Sequence, residues 1–364
     1  MRIVHVINSL ATGGAETLVV ELAASMRAEG HDVAIVTIGR AAGVPLAAAE
    51  RHGIPVVAAG RSPYDPGSVL RLRRLLRTAD VAHVHLFPAL YFAAAAGGRT
   101  PLVYTEHSTW NRRRDSAAFH PFDRFAYRRY YALTAISPGV RDALASYLDR
   151  LGAPADITVV PNGIADAFFD RARTREPASP TRVIAVGTLD ARKNFADAVR
   201  AVAARPGTTL TIVGGGGQHD ELAELIHELG VGDRVTLAGP SNDVGSLMDQ
   251  HDLLLSTSRF EGFSLVAAEA MAMGLPVVGP RVDGFRDSVT DGEAGILFDQ
   301  GEGIDGIRRA IDAAVSDPTE YARLSRGAAR NAERFRVADT ARAYLEVYGS
   351  VLDASAIQRP RRDR

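Results

Sequence analysis

Short apolar runs alternate with helical segments along almost the whole chain, and this alternation constrains the fold more than any other feature. In the first part, strands are predicted at 2–7, 32–38, 54–58, 81–85, 101–105 and 132–136. Helices are predicted between them, at 15–29, 43–52, 66–78, 88–97 and 121–131. Apolar strands of this length that alternate with helices form parallel, doubly wound sheets, so the sequence predicts an α/β fold.

The alternation breaks between residues 159 and 182, where three prolines and an Asn-Gly pair indicate a linker. It restarts with predicted strands at 183–187, 210–213, 235–238, 252–256 and 277–279. A chain of 364 residues also exceeds what one hydrophobic core usually supports. We therefore predict one α/β domain at 1–168 and a second at 169–340. Residues 341–364 are predicted as a helix that returns to the first domain and a basic tail at 358–364. Ligands bind beyond the carboxyl ends of strands in such sheets, so the site is expected in an interdomain cleft.

The composition excludes several classes of function. With 46% hydrophobic and 23% charged residues, the chain has the composition of an ordinary globular protein. Its apolar stretches are too short for a membrane span and it starts with a strand, so a cytoplasmic protein is expected. The absence of cysteine excludes a thiolate nucleophile, a disulfide framework and the usual structural zinc site. A net charge of −1 does not indicate a nucleic-acid partner.

Two glutamates eight residues apart, Glu261 and Glu269, are the most informative candidate site residues. Glu261 follows a predicted strand, and Gly274 ends the apolar helix that carries Glu269. An ionised carboxylate can accept two hydrogen bonds from a sugar diol, so one glutamate could hold a sugar and the other a ribose. The N–H groups that open the helix, those of Gly262, Phe263, Ser264 and Leu265, favour an anionic or hydroxyl-rich ligand. The alternative is that Glu269 is an exposed charge on a helix and that Glu261 is a solvated loop residue.

Cations and glycines follow three other predicted strands. Arg192 and Lys193, the latter the only lysine of the chain, could bind a diphosphate; the alternative is an ordinary surface pair. Gly13 and Gly14 would let a phosphate approach the backbone closely. Gly214 begins a run of four glycines that could contact a nucleotide or form a flexible loop.

The histidines are weaker candidates. His107 follows the strand at 101–105, which raises it above an ordinary structural histidine. His83 and His85 alternate along one strand; a metal pair is conceivable, but no acidic third ligand stands at a suitable spacing, and packing is the preferred interpretation. The chain also lacks an Asp-X-Asp triplet. We therefore expect no metal and no cofactor.

Together these residues resemble the GT4 family of retaining glycosyltransferases. The matching stretches are 13–16, 105–107, 135–137, 160–164, 186–195 and 261–278, the last fitting the family's E-x7-E signature. The resemblance implies the GT-B fold, with two facing Rossmann-like domains. One departure is the segment 283–287, where the family often has a Gly-Gly pattern before a glutamate.

The resemblance also implies roles for residues. Arg192 and Lys193 would hold the donor diphosphate, Glu269 the ribose, and Glu261 with the 262–265 backbone the transferred sugar. Gly14 would contact the phosphate, and His107 would lie near the reaction centre. The catalytic candidates are therefore His107, Arg192, Lys193 and Glu261.

The expected reaction is transfer of a sugar from a nucleoside diphosphate sugar, UDP being favoured, to an acceptor hydroxyl. The resemblance implies front-face attack with retention. A glycosidase is disfavoured because its two carboxyl groups must flank one bond. Two alternatives remain: another GT-B enzyme, such as an epimerase or phosphorylase, and a non-catalytic nucleotide-sugar-binding protein.

The acceptor is assigned to the segment around Trp110, Arg112 and Arg113, together with Glu16. These residues could grip a small-molecule or lipid-linked sugar acceptor, with peripheral contact at the inner face of a membrane. The alternative is a solvated loop followed by an amphipathic helix.

Overall fold

The computed structural model describes residues 1–11, 13–39, 43–62, 65 and 67–357. It divides into two compact units. Unit 1 comprises Met1–Gly163 and the chain from Val337 onward, and unit 2 comprises Ile164–Arg336. These divisions lie a few residues before the predicted boundaries at 168 and 340. The basic tail predicted at 358–364 lies outside the described residues.

Unit 1 is built on a seven-stranded parallel sheet, in the order β3-β2-β1-β4-β5-β6-β7. Its strands are β1 (Arg2–Ile7), β2 (Asp32–Thr37), β3 (Val56–Ala58), β4 (Val81–His85), β5 (Leu102–Glu106), β6 (Ala132–Ala135) and β7 (Ile157–Val159). Its first six helices are α1 (Gly14–Ala28), α2 (Val44–Arg51), α3 (Ser68–Leu76), α4 (Ala89–Ala96), α5 (His120–Tyr127) and α6 (Pro138–Arg150). Leu18, Leu22 and Met26 form an apolar stripe on α1. This stripe is buried in one hydrophobic cluster with Ile3 and Ile7 of β1.

Unit 2 is built on a six-stranded parallel sheet, in the order β10-β9-β8-β11-β12-β13. Its strands are β8 (Thr181–Val186), β9 (Thr208–Val213), β10 (Val235–Gly239), β11 (Leu253–Leu255), β12 (Val277–Pro280) and β13 (Gly295–Phe298). Its helices are α7 (Asp166–Phe169), α8 (Phe195–Ala203), α9 (His219–Glu228), α10 (Val244–Asp249), α11 (Leu265–Ala272), α12 (Asp283–Ser288), α13 (Gly303–Val315) and α14 (Pro318–Ala332). The last helix of the chain, α15 (Val337–Ile357), belongs to unit 1, where Tyr344 and Tyr348 are fully buried.

Each sheet has one point where the strand order reverses. In unit 1, β1 pairs with both β2 and β4, and in unit 2, β8 pairs with both β9 and β11. Chain connections leave in opposite directions at such a switch point, so a crevice opens beyond the carboxyl ends of the two strands. The segments after β1, β4, β8 and β11 are therefore the ones placed to bind a ligand.

The structure confirms the predicted α/β fold and adds elements to it. Two short edge strands, β7 and β13, were not predicted. Most of the predicted linker is also an ordered part of unit 2. It contains α7, and its Arg171 and Arg175 form ion pairs with Asp249 at 2.9 and 3.0 Å. An ion pair across 74 residues leaves no local signal in the sequence.

None of the described helices has the length and apolar character needed to cross a membrane.

Candidate functional site

Lys193 and Glu261 form an ion pair at the switch point of unit 2. Lys193 follows β8 and Glu261 follows β11, and these two strands are neighbours in the sheet. The Lys193 Nζ lies 2.5 Å from Oε1 of Glu261, and the Ser258 hydroxyl donates to the same oxygen at 2.8 Å. The Lys193 side chain keeps 16% of its surface exposed and Glu261 keeps 8%. The pair is therefore held in place but can still be reached by a ligand.

The two turns that carry this pair are joined by backbone contacts. The Arg259 N–H donates to the Arg192 carbonyl at 2.8 Å. The Thr257 hydroxyl lies 3.0 Å from the Lys193 carbonyl and 2.9 Å from that of Asn194. On the other side, the Asp190 carboxylate accepts from the N–H groups of Arg192 and Lys193, at 3.0 and 3.2 Å. These bonds fix the backbone beneath both cations, while the Arg192 side chain stays exposed.

Helix α11 begins at Leu265, and Ser264 is its N-cap. The Ser264 Oγ accepts from the Ala267 N–H at 3.3 Å, which satisfies one of the free donors of the first turn. The Ser264 N–H itself donates to Ser288 Oγ at 3.4 Å, so it is used within the unit and is not aimed at a ligand. The side chain of Phe263 is buried and packs edge-on against Phe335, with 5.0 Å between ring centroids.

Glu269 lies on the partly accessible face of the same helix. Leu265 and Glu269 are both partly buried and stand one turn apart, whereas Ala267, Ala268 and Ala270 are buried. Residues at i and i+4 share one face of a helix, so Glu269 continues the face that starts near Gly262 and Leu265. The sequence predicted Glu269 on this apolar helix, and the structure has it there.

The segment after β12, which departs from the family pattern, supports the Glu261 turn. The Gly284 N–H donates to the Glu261 carbonyl at 3.2 Å. A Cβ atom on Gly284 would lie 2.4 Å from that carbonyl oxygen, so only glycine permits this approach. The segment 283–287 therefore keeps a structural role through Gly284, although its sequence differs.

Gly214 is packed against its own unit rather than forming a flexible loop. It has a φ of +151°, and a Cβ atom there would lie 1.8 Å from the Gly187 carbonyl oxygen. The Gly214 N–H donates to the Gly239 carbonyl at 2.9 Å. The glycine is therefore required by contact between neighbouring strand ends, and its predicted contact with a nucleotide stays a prediction.

In unit 1, Gly13, Gly14 and Glu16 open helix α1 after β1. Gly13 is the N-cap and has no capping side chain. The Glu16 side chain folds back over it, since a Cβ atom on Gly13 would lie 2.2 Å from Oε2 of Glu16. Burial raises the pKa of Glu16, and a bond to its own backbone N–H opposes that change. Glu16 therefore covers the backbone that was predicted to meet a phosphate.

His107 follows β5 and joins a group of buried histidines. Its Nε2 lies 3.2 Å from Nδ1 of His85, and Nε2 of His85 lies 3.1 Å from Nδ1 of His5. Burial lowers the pKa of His5 to about 4. Burial also lowers the pKa of His107 to about 4, against the opposing effect of Glu106. These imidazoles are therefore neutral at pH 7.

Three of the histidines, His5, His83 and His85, bring ring nitrogens within 4.8 Å of one another. Hydrogen bonds already occupy both nitrogens of His83, with Tyr348 Oη at 2.7 Å and Thr105 Oγ1 at 2.6 Å. A cation bound there would lie in a fully buried place with no carboxylate in the group to balance its charge. The geometry favours packing over metal binding, as the sequence interpretation preferred.

Arg113 is misplaced in the predicted acceptor group. Its side chain is 3% exposed, and its Nε donates to the fully buried Asp123 at 3.0 Å. Its Nη2 donates to the Tyr127 hydroxyl at 2.8 Å. Arg113 therefore stabilises the interior of unit 1, because an arginine that is buried this way is committed to its partners. Trp110 and Arg112, two other members of the group, are exposed.

Sequence reasoning did not single out His5, Ser258 or Asp123. His5 lies opposite His83 in the register of β1 with β4, and Ser258 lies three residues before Glu261. Register between strands 78 residues apart is not visible in the sequence. The closeness of Ser258 to Glu261 was the one signal available.

Comparison with known proteins follows the same division of the chain. The model described as Glycosyltransferase Family 4 matches residues 12–168, and the model described as Glycosyl transferases group 1 matches residues 166–331. The two matches overlap only at residues 166–168, and they fall mainly on unit 1 and unit 2 respectively.

Curated relatives and solved structures extend this similarity. LpsE of Rhizobium meliloti (strain 1021), a lipopolysaccharide core biosynthesis glycosyltransferase, is 31% identical over 228 residues, which are 62% of this chain and 66% of LpsE. A D-inositol 3-phosphate glycosyltransferase of Acidothermus cellulolyticus is 29% identical over 388 aligned positions, covering 93% of this chain and 86% of the relative. The crystal structure of Anabaena Alr3699/HepE with UDP and glucose has a TM-score of 0.83 at 24% identity, covering 96% of this chain and all of HepE. Since the two family models, these relatives and the fold agree with the motifs at the strand ends, the chain belongs to the GT4 family of glycosyltransferases, with the GT-B fold.

Proposed function

We propose that the protein transfers a sugar from a UDP-sugar to an acceptor hydroxyl, with retention at the anomeric carbon and without a metal ion. The observation that carries the proposal is the Lys193–Glu261 pair beside Arg192 at the switch point of unit 2. HepE was also solved with UDP-glucose, which makes a UDP-sugar the first donor to test.

The two cations suit a diphosphate leaving group. Arg192 is exposed and has one 3.4 Å side-chain contact with Asp190, so its guanidinium can turn to a phosphate at little cost. Lys193 is already oriented by Glu261. Positive groups that are fixed before the reaction stabilise the charge that develops on the departing diphosphate. They supply the stabilisation for which other enzymes use a metal.

Glu261 suits a role in binding the transferred sugar. Among the described residues, its side-chain contacts with Lys193 and Ser258 both fall on Oε1, so Oε2 keeps its lone pairs for a sugar hydroxyl. Glu269, on the same helix face as Leu265, would accept from the ribose hydroxyls. A carboxylate already engaged by a cation and a hydroxyl is a weak nucleophile, so no glycosyl ester is expected.

In the proposed step, the acceptor oxygen attacks the anomeric carbon on the face from which the diphosphate leaves. The bond from the anomeric carbon to the phosphate oxygen breaks as the new glycosidic bond forms. The acceptor proton passes to the departing phosphate oxygen. Arg192 and Lys193 stabilise the charge on the diphosphate throughout.

For the acceptor, we propose a sugar or polyol bound beside Trp110 and Arg112. Trp110 is 52% exposed and its indole N–H donates to Asp115 at 3.2 Å, which fixes the ring for stacking on a sugar. Arg112 offers a planar guanidinium for a phosphate on the acceptor. Lipid-linked acceptors and membrane contact stay predictions.

The single lysine provides a direct test. Reductive methylation with ¹³C-formaldehyde labels Lys193 and the terminal amine and keeps the charge of each. Titration with UDP, GDP, ADP and dTDP sugars is expected to shift the Lys193 methyl resonance for the UDP donors, while the Met1 resonance stays in place. A resonance that no nucleotide sugar moves would overturn the assignment of the donor site.

The reaction is tested with the donor that binds. We expect transfer to be unchanged by EDTA, and NMR of the product to show the anomeric configuration of the donor. An inverted product, or a glycosyl ester trapped on Glu261, would contradict the proposed step. Turnover of the donor without acceptor would favour an epimerase or a phosphorylase, and binding without turnover a non-catalytic protein.

A further inference from the structure

A row of polar side chains crosses the sheet of unit 1 beneath helix α15, and it contains two hydrogen-bonded chains. One passes through His83 and ends on a backbone carbonyl. The other runs from His107 through His85 to His5 and ends inside the protein. Hydrogen positions follow from where each chain ends, because each hydroxyl and each neutral imidazole has one proton to donate.

The direction of the first chain is fixed at Thr134. Its hydroxyl donates to the Tyr104 carbonyl at 3.2 Å, so the bond of 2.6 Å between Thr105 and Thr134 takes its proton from Thr105. The Thr105 hydroxyl must then accept at 2.6 Å from Nε2 of His83. His83 therefore carries its proton on Nε2, and its Nδ1 accepts from the Tyr348 hydroxyl.

The second chain has a different end. Nε2 of His5 is buried and has no protein partner among the described residues. If the protons pointed inward, this atom would be a buried N–H without an acceptor, which is rare and costly. If they point outward, it is an unpaired lone pair, which proteins tolerate better. The outward direction is therefore favoured: His5 Nδ1–H donates to His85, and His85 Nδ1–H donates to Nε2 of His107.

We propose that His85 and His5 are positioning residues that hold His107 with its proton on Nδ1. His107 then acts as a neutral hydrogen-bond donor to an oxygen of the bound substrate and does not act as a general base. The proposal rests on the proposed function, because the substrate oxygen belongs to that reaction. It assigns a task to two fully buried histidines.

The test is the ¹⁵N spectrum of the histidine-labelled protein without substrate. Long-range ¹H–¹⁵N correlations distinguish a protonated Nδ1 from a protonated Nε2. We expect His107, His85 and His5 to be protonated on Nδ1 and His83 on Nε2. Finding the proton of His107 on Nε2 in the wild-type protein would overturn the proposal, whether or not the protein transfers a sugar.

Three variants separate positioning from packing. His85→Leu removes the donor, and we expect His107 to show both tautomers and kcat/KM to fall about 10-fold. His85→Asn keeps an N–H near the position of Nδ1 and is expected to restore both. The matched control is His83→Leu. His83 lies on the same strand as His85 and is equally buried, but it belongs to the hydrogen-bonded chain that ends at Thr134 and Tyr104. This variant should leave the His107 tautomer and the transfer rate unchanged.

The outcomes also separate this proposal from the proposed function. A Nδ1-protonated His107 in a protein that turns over no nucleotide sugar leaves the positioning chain standing and removes the function. Should His85→Leu fail to fold, His5→Leu breaks the same chain one residue further from the site. An unchanged His107 tautomer in a folded His85→Leu or His5→Leu protein would contradict the positioning role.

Discussion

The switch points of the two units carry side chains of opposite character. In unit 2, Lys193, Glu261 and Arg192 are charged, paired and within reach of solvent. In unit 1, His5 and His85 are neutral and fully buried, and they connect to the partly buried His107. The same strand topology thus carries charged side chains in unit 2 and neutral, hydrogen-bonded imidazoles in unit 1. The comparison shows that strand order determines where a site lies in each unit. The burial of the side chains at that place determines whether they are charged or neutral.

Unit 1 also holds a buried charge pair away from its switch point. Removing one partner of this pair should lower the free energy of unfolding, and this is the largest effect that we expect. Asp123 accepts from Arg113, from the Tyr91 hydroxyl at 2.7 Å and from the Tyr147 hydroxyl at 2.5 Å. Asp123→Ala would leave Arg113 buried without its partner, so we expect a loss of about 3–5 kcal/mol in the free energy of unfolding, measured with urea.

The matched control for that variant is Asp115→Ala, since Asp115 is exposed. Its cost should stay within about 0.5 kcal/mol. Equal losses for the two variants would show that the Arg113–Asp123 pair is not a structural element, and Arg113 would return to the acceptor group.

Lys193→Ala in unit 2 should have the opposite effect to Asp123→Ala in unit 1, because it should lower activity more than stability. We expect kcat to fall about 10²–10³-fold, since a preorganised positive group is lost. Lys193→Arg should recover only part of this, because a planar guanidinium does not replace a compact ammonium. The control is Asp305→Asn, which breaks an exposed ion pair of unit 2 and should leave kcat unchanged. A Lys193→Ala protein with wild-type kcat would remove the charged switch point from the mechanism.

A smaller effect should appear in the pH dependence of stability. Burial lowers the pKa of His5 to about 4, from a value near 6.5 in the unfolded chain. Between these values the unfolded chain binds more protons, so stability is complete above pH 6.5 and falls as the pH drops towards 4. The slope for each such histidine is at most about 1.4 kcal/mol per pH unit.

Urea unfolding at several pH values measures this slope. His5→Phe should flatten it, whereas replacing His52, an exposed histidine of unit 1, by Gln should leave it unchanged. A His5→Phe protein with the wild-type slope would mean that His5 is not held neutral in the folded unit.

The sequence predicted the fold class and most strands because the alternation of apolar strands with helices is visible along the whole α/β chain. It also predicted that Arg192, Lys193 and Glu261 follow strands and that Glu269 lies on the next helix, and the structure has them in these positions. It failed at Arg113, which stands in a run of three arginines and looks exposed, yet points to Asp123 ten residues later. It did not show that Gly214 is required by a neighbouring strand end, and a contact of this glycine with a nucleotide stays a prediction.

The sequence by itself determined the two parallel sheets, the end of helix α11 at Gly274 and the resemblance to the family. These depend on contacts within one element or one turn, so their signals lie close together in the chain. Only the tertiary structure decided that Lys193 meets Glu261 and that His5 meets His85. Those contacts join residues 68 and 80 positions apart, and they exist because strand order, which no local pattern encodes, makes β8 a neighbour of β11 and β1 a neighbour of β4.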